Sequence, residues 1–169
     1  EHLRTNALRT DGPFRLRSGI SSAWYLDARQ TTFDGTGARL VGEAVLEVLN
    51  EQVQAVGGMT MGADPIGVAT AIAGERSGRP LRAFSIRKLE KTHGTGGRLV
   101  GPVRVGDVVA VLEDTTTTGA ALFEAIEVAV AFGLEVSQVL SLVDRSGAVV
   151  RTRMDEMGIA YCALIAPED

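Results

Sequence analysis

A single cysteine in 169 residues excludes an internal disulfide, and one cysteine with two histidines cannot assemble a zinc constellation. Cys162 lies in the apolar run Ile159–Ile165, where a small buried side chain in a reducing compartment is expected. No apolar stretch is long enough to cross a bilayer and no leader peptide is recognisable, so a cytoplasmic protein without membrane contact is expected. Basic residues are not in excess: 17 Lys and Arg against 21 Asp and Glu give a net charge of −4, which argues against a nucleic-acid partner. A G-x-x-x-x-G-K-[ST] loop is missing, which disfavours a P-loop nucleotide hydrolase. Two stretches, Gly35–Leu40 and Gly94–Leu99, begin as G-x-G but carry Leu where a dinucleotide fingerprint needs its third glycine, and no NAD site is assigned to them. Hydrophobic residues at 45% and charged residues at 22% leave an ordinary single globular domain with a substantial core.

What is present is concentrated in Val108–Gly119, VVAVLEDTTTTG. Val108–Leu112 is predicted to be a buried strand, because five consecutive apolar residues have no polar face to offer water. A helix is predicted from near Gly119, with Leu122, Ala125, Ile126 and Ala129 on one face, Glu124 and Glu127 opposite, and Gly133 as its stop. The Thr/Gly turn then sits at a helix N-terminus, where unpaired N–H groups and the dipole attract an anion. Glu113 and Asp114 would repel a bare phosphate, yet they make sense beside hydroxyls. Carboxylates accept hydrogen bonds from a ribose diol, can help hold a magnesium shell and favour positive charge developing at an anomeric carbon. The competing reading makes Asp114 or a Thr a simple helix cap at a β-prone strand end.

Apolar β-type runs alternate with helical periodicity along the rest of the chain. Tyr25–Ala28 follows a loop, and Leu40, Val41, Ala44, Val45, Val48 and Leu49 form one helical face. Gln54–Val56 reads as a short strand ending at Gly57-Gly58, and Pro65–Gly74 as a small-residue helix with Pro65 in its first turn. Further strands are predicted near Leu81–Ile86, Val136–Val143 and Ile159–Ile165, with a helix over Ala148–Met157. This order predicts an α/β fold, a mainly parallel twisted sheet flanked by helices on both faces. Ligands of such sheets bind outside the carboxyl ends of the strands, where the Gly57, Glu113 and Asp144 turns fall. Lys88–Gly106, with five glycines beside Lys88, Lys91, Arg98 and Arg104, is expected to be a mobile lid. On or next to it, Arg87, Lys88 and Lys91 supply cations and His93 a titratable donor, a set suited to a departing pyrophosphate. A solvated basic loop is the alternative. Arg145 offers parallel donors that match a carboxylate, or pairs with its neighbour Asp144.

Together these segments resemble the type I phosphoribosyltransferases, whose signature is an apolar strand, two acids and a Thr/Gly loop that binds 5-phosphoribosyl 1-diphosphate. Glu113 stands where that family more often has Asp. Arg87-Lys88, a spacer and Lys91-Thr92-His93-Gly94-Thr95-Gly96-Gly97 are similar to the catalytic loop of the orotate phosphoribosyltransferases. Phe14–Gly19 followed by Trp24–Asp27 resembles their N-terminal segment that closes over orotate and the diphosphate, with Arg17 in place of Lys, and Gly57–Pro65 resembles their pyrophosphate loop. The resemblance implies one domain over 1–169, with an N-terminal hood at 1–30 and a flexible catalytic loop at 88–106. It implies transfer of the phosphoribosyl group to orotate, giving orotidine 5′-phosphate and pyrophosphate in de novo pyrimidine (UMP) biosynthesis, with Mg²⁺ as cofactor. Lys91, His93 and Asp114 would be catalytic. Arg17, Arg87, Lys88, Lys91, His93, Glu113, Asp114, Thr115, Thr116, Thr117, Thr118 and Gly119 would hold the diphosphate substrate. Tyr25, Thr117 and Arg145 would meet orotate. No residue would ligate the metal directly, Mg²⁺ being held mainly by the diphosphate and ribose hydroxyls. A homodimer is implied, with Lys91 and His93 acting across the interface. Transfer to a different base, or a non-catalytic regulator that binds the phosphoribosyl ligand, stay open beside this reading.

Overall fold

The computed structural model describes residues 1–15, 21–89 and 97–166. A short helix α1 (His2–Asn6) leads into four two-residue strands, β1 (Leu8–Arg9), β2 (Phe14–Arg15), β3 (Ser21–Ser22) and β4 (Tyr25–Leu26). Helices α2 (Arg29–Thr32) and α3 (Gly35–Val48) follow, then β5 (Ala55–Met59), α4 (Ala63–Arg76), β6 (Arg82–Ile86) and β7 (Leu99–Val100). The chain continues through β8 (Val108–Thr116), α5 (Ala120–Phe132), β9 (Glu135–Asp144), α6 (Ala148–Met157) and β10 (Ala160–Ile165).

One six-stranded sheet, in the order β10-β9-β8-β5-β6-β7, organises the molecule. All its neighbours pair in parallel except β7, which runs antiparallel to β6 at the edge. Side chains of β8 alternate between two cores. Val109 and Val111 pack with Leu122, Ile126 and Ala129 of α5 and with Val150 and Met154 of α6. Ala110 and Leu112 pack with Val41 and Val45 of α3 and Ile66 of α4. Both faces are therefore covered, as parallel pairing demands. The N-terminal strands form two small antiparallel pairs, β1 with β4 and β2 with β3.

The alternating strand and helix pattern is borne out, and α6 has the predicted bounds. Gly133 ends α5 in the left-handed conformation, φ 97°. Other details differ from expectation. Gly57 and Gly58 lie inside β5, not after it. A Cβ there would come within 2.0 Å of the Phe84 carbonyl oxygen or 2.1 Å of the Leu112 carbonyl oxygen, so glycine is what lets the neighbouring strands approach. Leu40 and Val48, predicted to face the core, are exposed, because the buried stripe of α3 is carried by Val41, Gly42 and Val45. Cys162 is only half-buried, since β10 is an edge strand. Gly35–Leu40 forms the first turns of α3, capped by the Asp34 carboxylate, which accepts from the N–H groups of Thr36 and Gly37. Within the segment expected to be a lid, residues 97–106 are held to the fold. Leu99 pairs with Ile86, Val103 is buried, and Arg98 bonds both the Arg87 carbonyl and Glu124 of α5. Residues 90–96 lie outside the described residues.

Candidate active site

β8 does not stop at Leu112; the β-branched threonines keep the backbone extended and paired to β9 as far as Thr116. Glu113 and Asp114 are thus strand residues at the carboxyl end of a central strand, and successive side chains point to opposite faces. Glu113, opposite Ser141, is 9% exposed, and its carboxyl accepts a 3.3 Å bond from the Asp114 N–H. Burial, with the adjacent Asp114 charge adding to it, pushes its pKa up to about 8, while Lys88 acts in the other direction. The upward shift favours the protonated carboxyl, which can donate a hydrogen bond as well as accept one.

Asp114 turns to the other face, where it accepts from the Thr115 N–H at 2.6 Å. Its carboxyl group lies against Gly62 at the N-terminus of α4, where any Cβ would stand 2.7–2.9 Å from it. With no Cβ at Gly62, the Asp114 carboxyl can lie directly against the β5–α4 turn, and a larger residue there would displace that side chain. In that turn the Thr60 N–H donates to the Ile86 carbonyl and the Thr60 hydroxyl donates to Asp64 at 2.6 Å. The Thr60–Met61 peptide is cis. Arg29, held by Asp27 at 2.7 Å, has Tyr25 and Asp114 within electrostatic reach.

The hydroxyls beyond the acids divide. Thr117 and Thr118 are exposed and Thr115 is half-exposed. Thr118 Oγ1 accepts from the Ala120 N–H at 3.4 Å, and Gly119 adopts φ 77° ahead of α5. Thr116 is buried instead: its hydroxyl is hydrogen-bonded to Ser141 and its carbonyl accepts from the Arg145 N–H at 2.7 Å. The turn therefore offers an anion three accessible hydroxyls and the N-terminus of a thirteen-residue helix.

Arg145 occupies the equivalent turn after β9. Its neighbour Asp144 accepts from the Ser146 N–H and hydroxyl at 2.7 and 2.6 Å, so the acid beside it is engaged elsewhere. The Arg145 guanidinium carbon lies 3.9 Å from the centroid of the Trp24 ring, and among the described residues it forms no ion pair. Burial holds its pKa below the usual arginine range. Trp24 and Arg145 line a cavity of about 790 Å³ with Leu8, Leu26, Val143 and Ile165. Tyr25 packs its ring 5.9 Å from that of Phe14 in β2. Arg87 and Lys88 emerge at the carboxyl end of β6. Arg17, Lys91 and His93 lie outside the described residues. Sequence reasoning missed the approach of Arg29 to Asp114 and the Trp24 stack; the pattern Trp-Tyr-Leu-Asp-Ala-Arg carried no spacing signal for them, since each contact is made only by tertiary folding.

An acid pair, a Thr/Gly turn at a helix N-terminus and a glycine loop, all at the carboxyl ends of a parallel sheet of this order, define a phosphoribosyltransferase of the type I fold. No family model matches the chain. It is 40% identical over 151 residues to the orotate phosphoribosyltransferase of Streptomyces coelicolor, covering 89% of this chain and 83% of that one. The Mycobacterium tuberculosis orotate phosphoribosyltransferase in complex with Fe(III) dicitrate superposes with a TM-score of 0.84 at 31% identity, covering 98% of this chain and 93% of that one. The same enzyme in complex with 5-phospho-α-D-ribosyl 1-diphosphate gives 0.78 at 29% identity, covering 97% and 91%. The chain belongs to the orotate phosphoribosyltransferase family.

Proposed function

We propose that this protein transfers the 5-phosphoribosyl group from 5-phosphoribosyl 1-diphosphate to orotate, giving orotidine 5′-phosphate and pyrophosphate in pyrimidine (UMP) biosynthesis. The observation that carries this reading is the gathering, at the carboxyl ends of β8 and β9, of paired acids, an anion-binding turn and a guanidinium with no carboxylate partner among the described residues. In this reading Thr115, Thr117, Thr118 and Gly119 cradle the 5′-phosphate, while the Thr116 hydroxyl, taken up by Ser141, holds the turn in shape. Glu113 and Asp114 bind the ribose hydroxyls, and Asp114 favours the positive charge that develops at the anomeric carbon. Arg145 takes the orotate carboxylate, with Tyr25 and Thr117 beside the base.

Orotate arrives ionised at its ring nitrogen or easily made so, so no strong protein base is required. The chain's main tasks are to orient two substrates and to stabilise the departing diphosphate. For the second task the reading assigns Arg87, Lys88, Lys91 and His93, with Arg17 from the hood. Among the described residues no group of three or more Asp, Glu, His or Cys converges on one point. In this reading Mg²⁺ has no direct protein ligand and is held mainly by the diphosphate and ribose hydroxyls, where it would neutralise the diphosphate charge.

A homodimer with Lys91 and His93 acting across the interface completes the proposal. Its support is exposed apolar surface: Phe33, Met61, Val68 and Ile72 are 53–61% exposed, the last two one turn apart on α4. Light scattering should give a dimer, and a strictly monomeric active form would contradict this part. The one-domain arrangement with an N-terminal hood and a catalytic loop, and a cytoplasmic location, belong to the same reading. Among the described residues no helix is long and apolar enough to cross a membrane. The decisive assay is pyrophosphate release by the purified protein with Mg²⁺ and orotate, uracil, adenine or hypoxanthine. Release should depend on orotate, and preference for a base without a carboxylate would sink the assigned role of Arg145.

A further inference from the structure

Trp24, the one tryptophan of the chain, stands between β3 and β4, and its backbone is fixed by Ser22, whose hydroxyl donates to the Trp24 carbonyl at 2.7 Å. Arg145 is fixed from the other side, its N–H bonded to the Thr116 carbonyl at 2.7 Å. Between these two anchored backbones the guanidinium lies over the indole at 3.9 Å. A guanidinium is planar, so a stacked ring covers its face and leaves the in-plane N–H edge free for two oxygens. Arginine is also rich in rotamers, and ordering it on ligand binding lowers affinity unless the protein orders it beforehand. The neighbouring acid does not compete for it, because Asp144 is held by Ser146.

We propose that Trp24 is a positioning and specificity-determining residue, which holds the Arg145 guanidinium edge-on to the cavity for a planar carboxylated base. This rests on the reading that Arg145 meets the orotate carboxylate. Trp24 then acts through Arg145 and not by direct contact with the reacting atoms. It links the hood to base selection, because any movement of β3 and β4 carries the indole with it and changes the order of the arginine.

The test is a double-mutant cycle with a KM and kcat split. Trp24→Leu should raise the KM for orotate about tenfold, leave the KM for 5-phosphoribosyl 1-diphosphate unchanged and leave kcat nearly so. Trp24→Phe, which keeps an aromatic face, should recover most of that loss. In an Arg145→Gln background, Trp24→Leu should add nothing. Melting curves should show each variant folded, as expected for a side chain that is 37% exposed. The stack itself is read without any substrate from the emission of the single tryptophan, which Arg145→Gln should shift. An unchanged orotate KM in Trp24→Leu overturns the proposal, as does an equal loss in the Arg145→Gln background, which would mean direct contact with the base. Absence of orotate turnover by the wild-type protein would instead defeat the functional reading, and an emission shift on Arg145→Gln in that case would confine the pair to a structural role.

Discussion

The two ends of the central sheet use charge in opposite ways. At the amino ends of the strands every polar group named here is answered from within the chain. Arg82 pairs with Asp107 at 2.7 Å, and Asp107 also accepts from the Arg104 N–H at 2.6 Å. Gln138 bridges the Asn50 N–H and the Val48 carbonyl, both at 2.8 Å, and Gln54 accepts from the Val108 N–H at 2.9 Å. At the carboxyl ends the groups conflict or stand alone. Glu113 is buried beside another acid, and Arg145 has an aromatic face but, among the described residues, no carboxylate. Charges that hold the fold are paired, whereas those available to a ligand are left unsatisfied by the protein.

That contrast can be broken by exchanging effects between the two ends. The largest effect is expected at Lys91, assigned to the leaving diphosphate: Lys91→Ala should lower kcat by about a hundredfold or more, on the order of 3 kcal/mol, with an unchanged melting temperature. Steady-state kinetics beside a thermal melt measure both, and unchanged turnover would remove this lysine from the mechanism. Next comes Arg145→Gln, which should raise the KM for orotate roughly tenfold or more while the KM for the diphosphate substrate stays put.

The amino end should answer in the other currency. Asp107→Asn is expected to lower the melting temperature by roughly 2–4 °C and leave kinetics alone. Its partners hold the Asp107 pKa below the ordinary value, first among them Arg82, so its contribution is present above the unfolded-state pKa and is lost as pH falls through the folded one. The difference between wild type and Asp107→Asn should therefore vanish in acid. A kinetic defect with no loss of stability would erase the distinction between the two ends.

The smallest effect sharpens the comparison through sign. Glu113 has its pKa raised, so the folded state binds the proton more tightly than the unfolded chain, and its contribution to stability falls as pH rises from about 5 to about 8. Glu113→Gln removes that titration. The variant's melting temperature relative to wild type should climb across this interval, opposite in sign to Asp107→Asn; a flat or reversed difference would show that Glu113 is not a strained acid.

Much of the fold was legible because its signals are local. Apolar runs marked the parallel strands, and Gly133 and the periodicity of α5 gave that helix. The N-terminal strand pairs were not legible: strands of two residues carry no period, and their pairing is set by tertiary contact. Gly57 and Gly58 look like a strand end in the sequence, yet they are strand residues because adjacent backbones crowd them. In the site, residue types announced the acids, the threonines and Arg145. Their division of labour did not show, since the burial of Thr116 against Ser141 depends on how far β8 stays extended. The stack of Trp24 on Arg145 joins residues more than a hundred positions apart, beyond the reach of any spacing rule.

The most direct measurement is a crystal structure with 5-phosphoribosyl 1-diphosphate bound. The sugar hydroxyls should lie on Glu113 and Asp114 and the 5′-phosphate in the Thr115–Gly119 turn, with the diphosphate facing Lys88. Density for the ligand elsewhere, away from the carboxyl ends of β6, β8 and β9, would contradict the account.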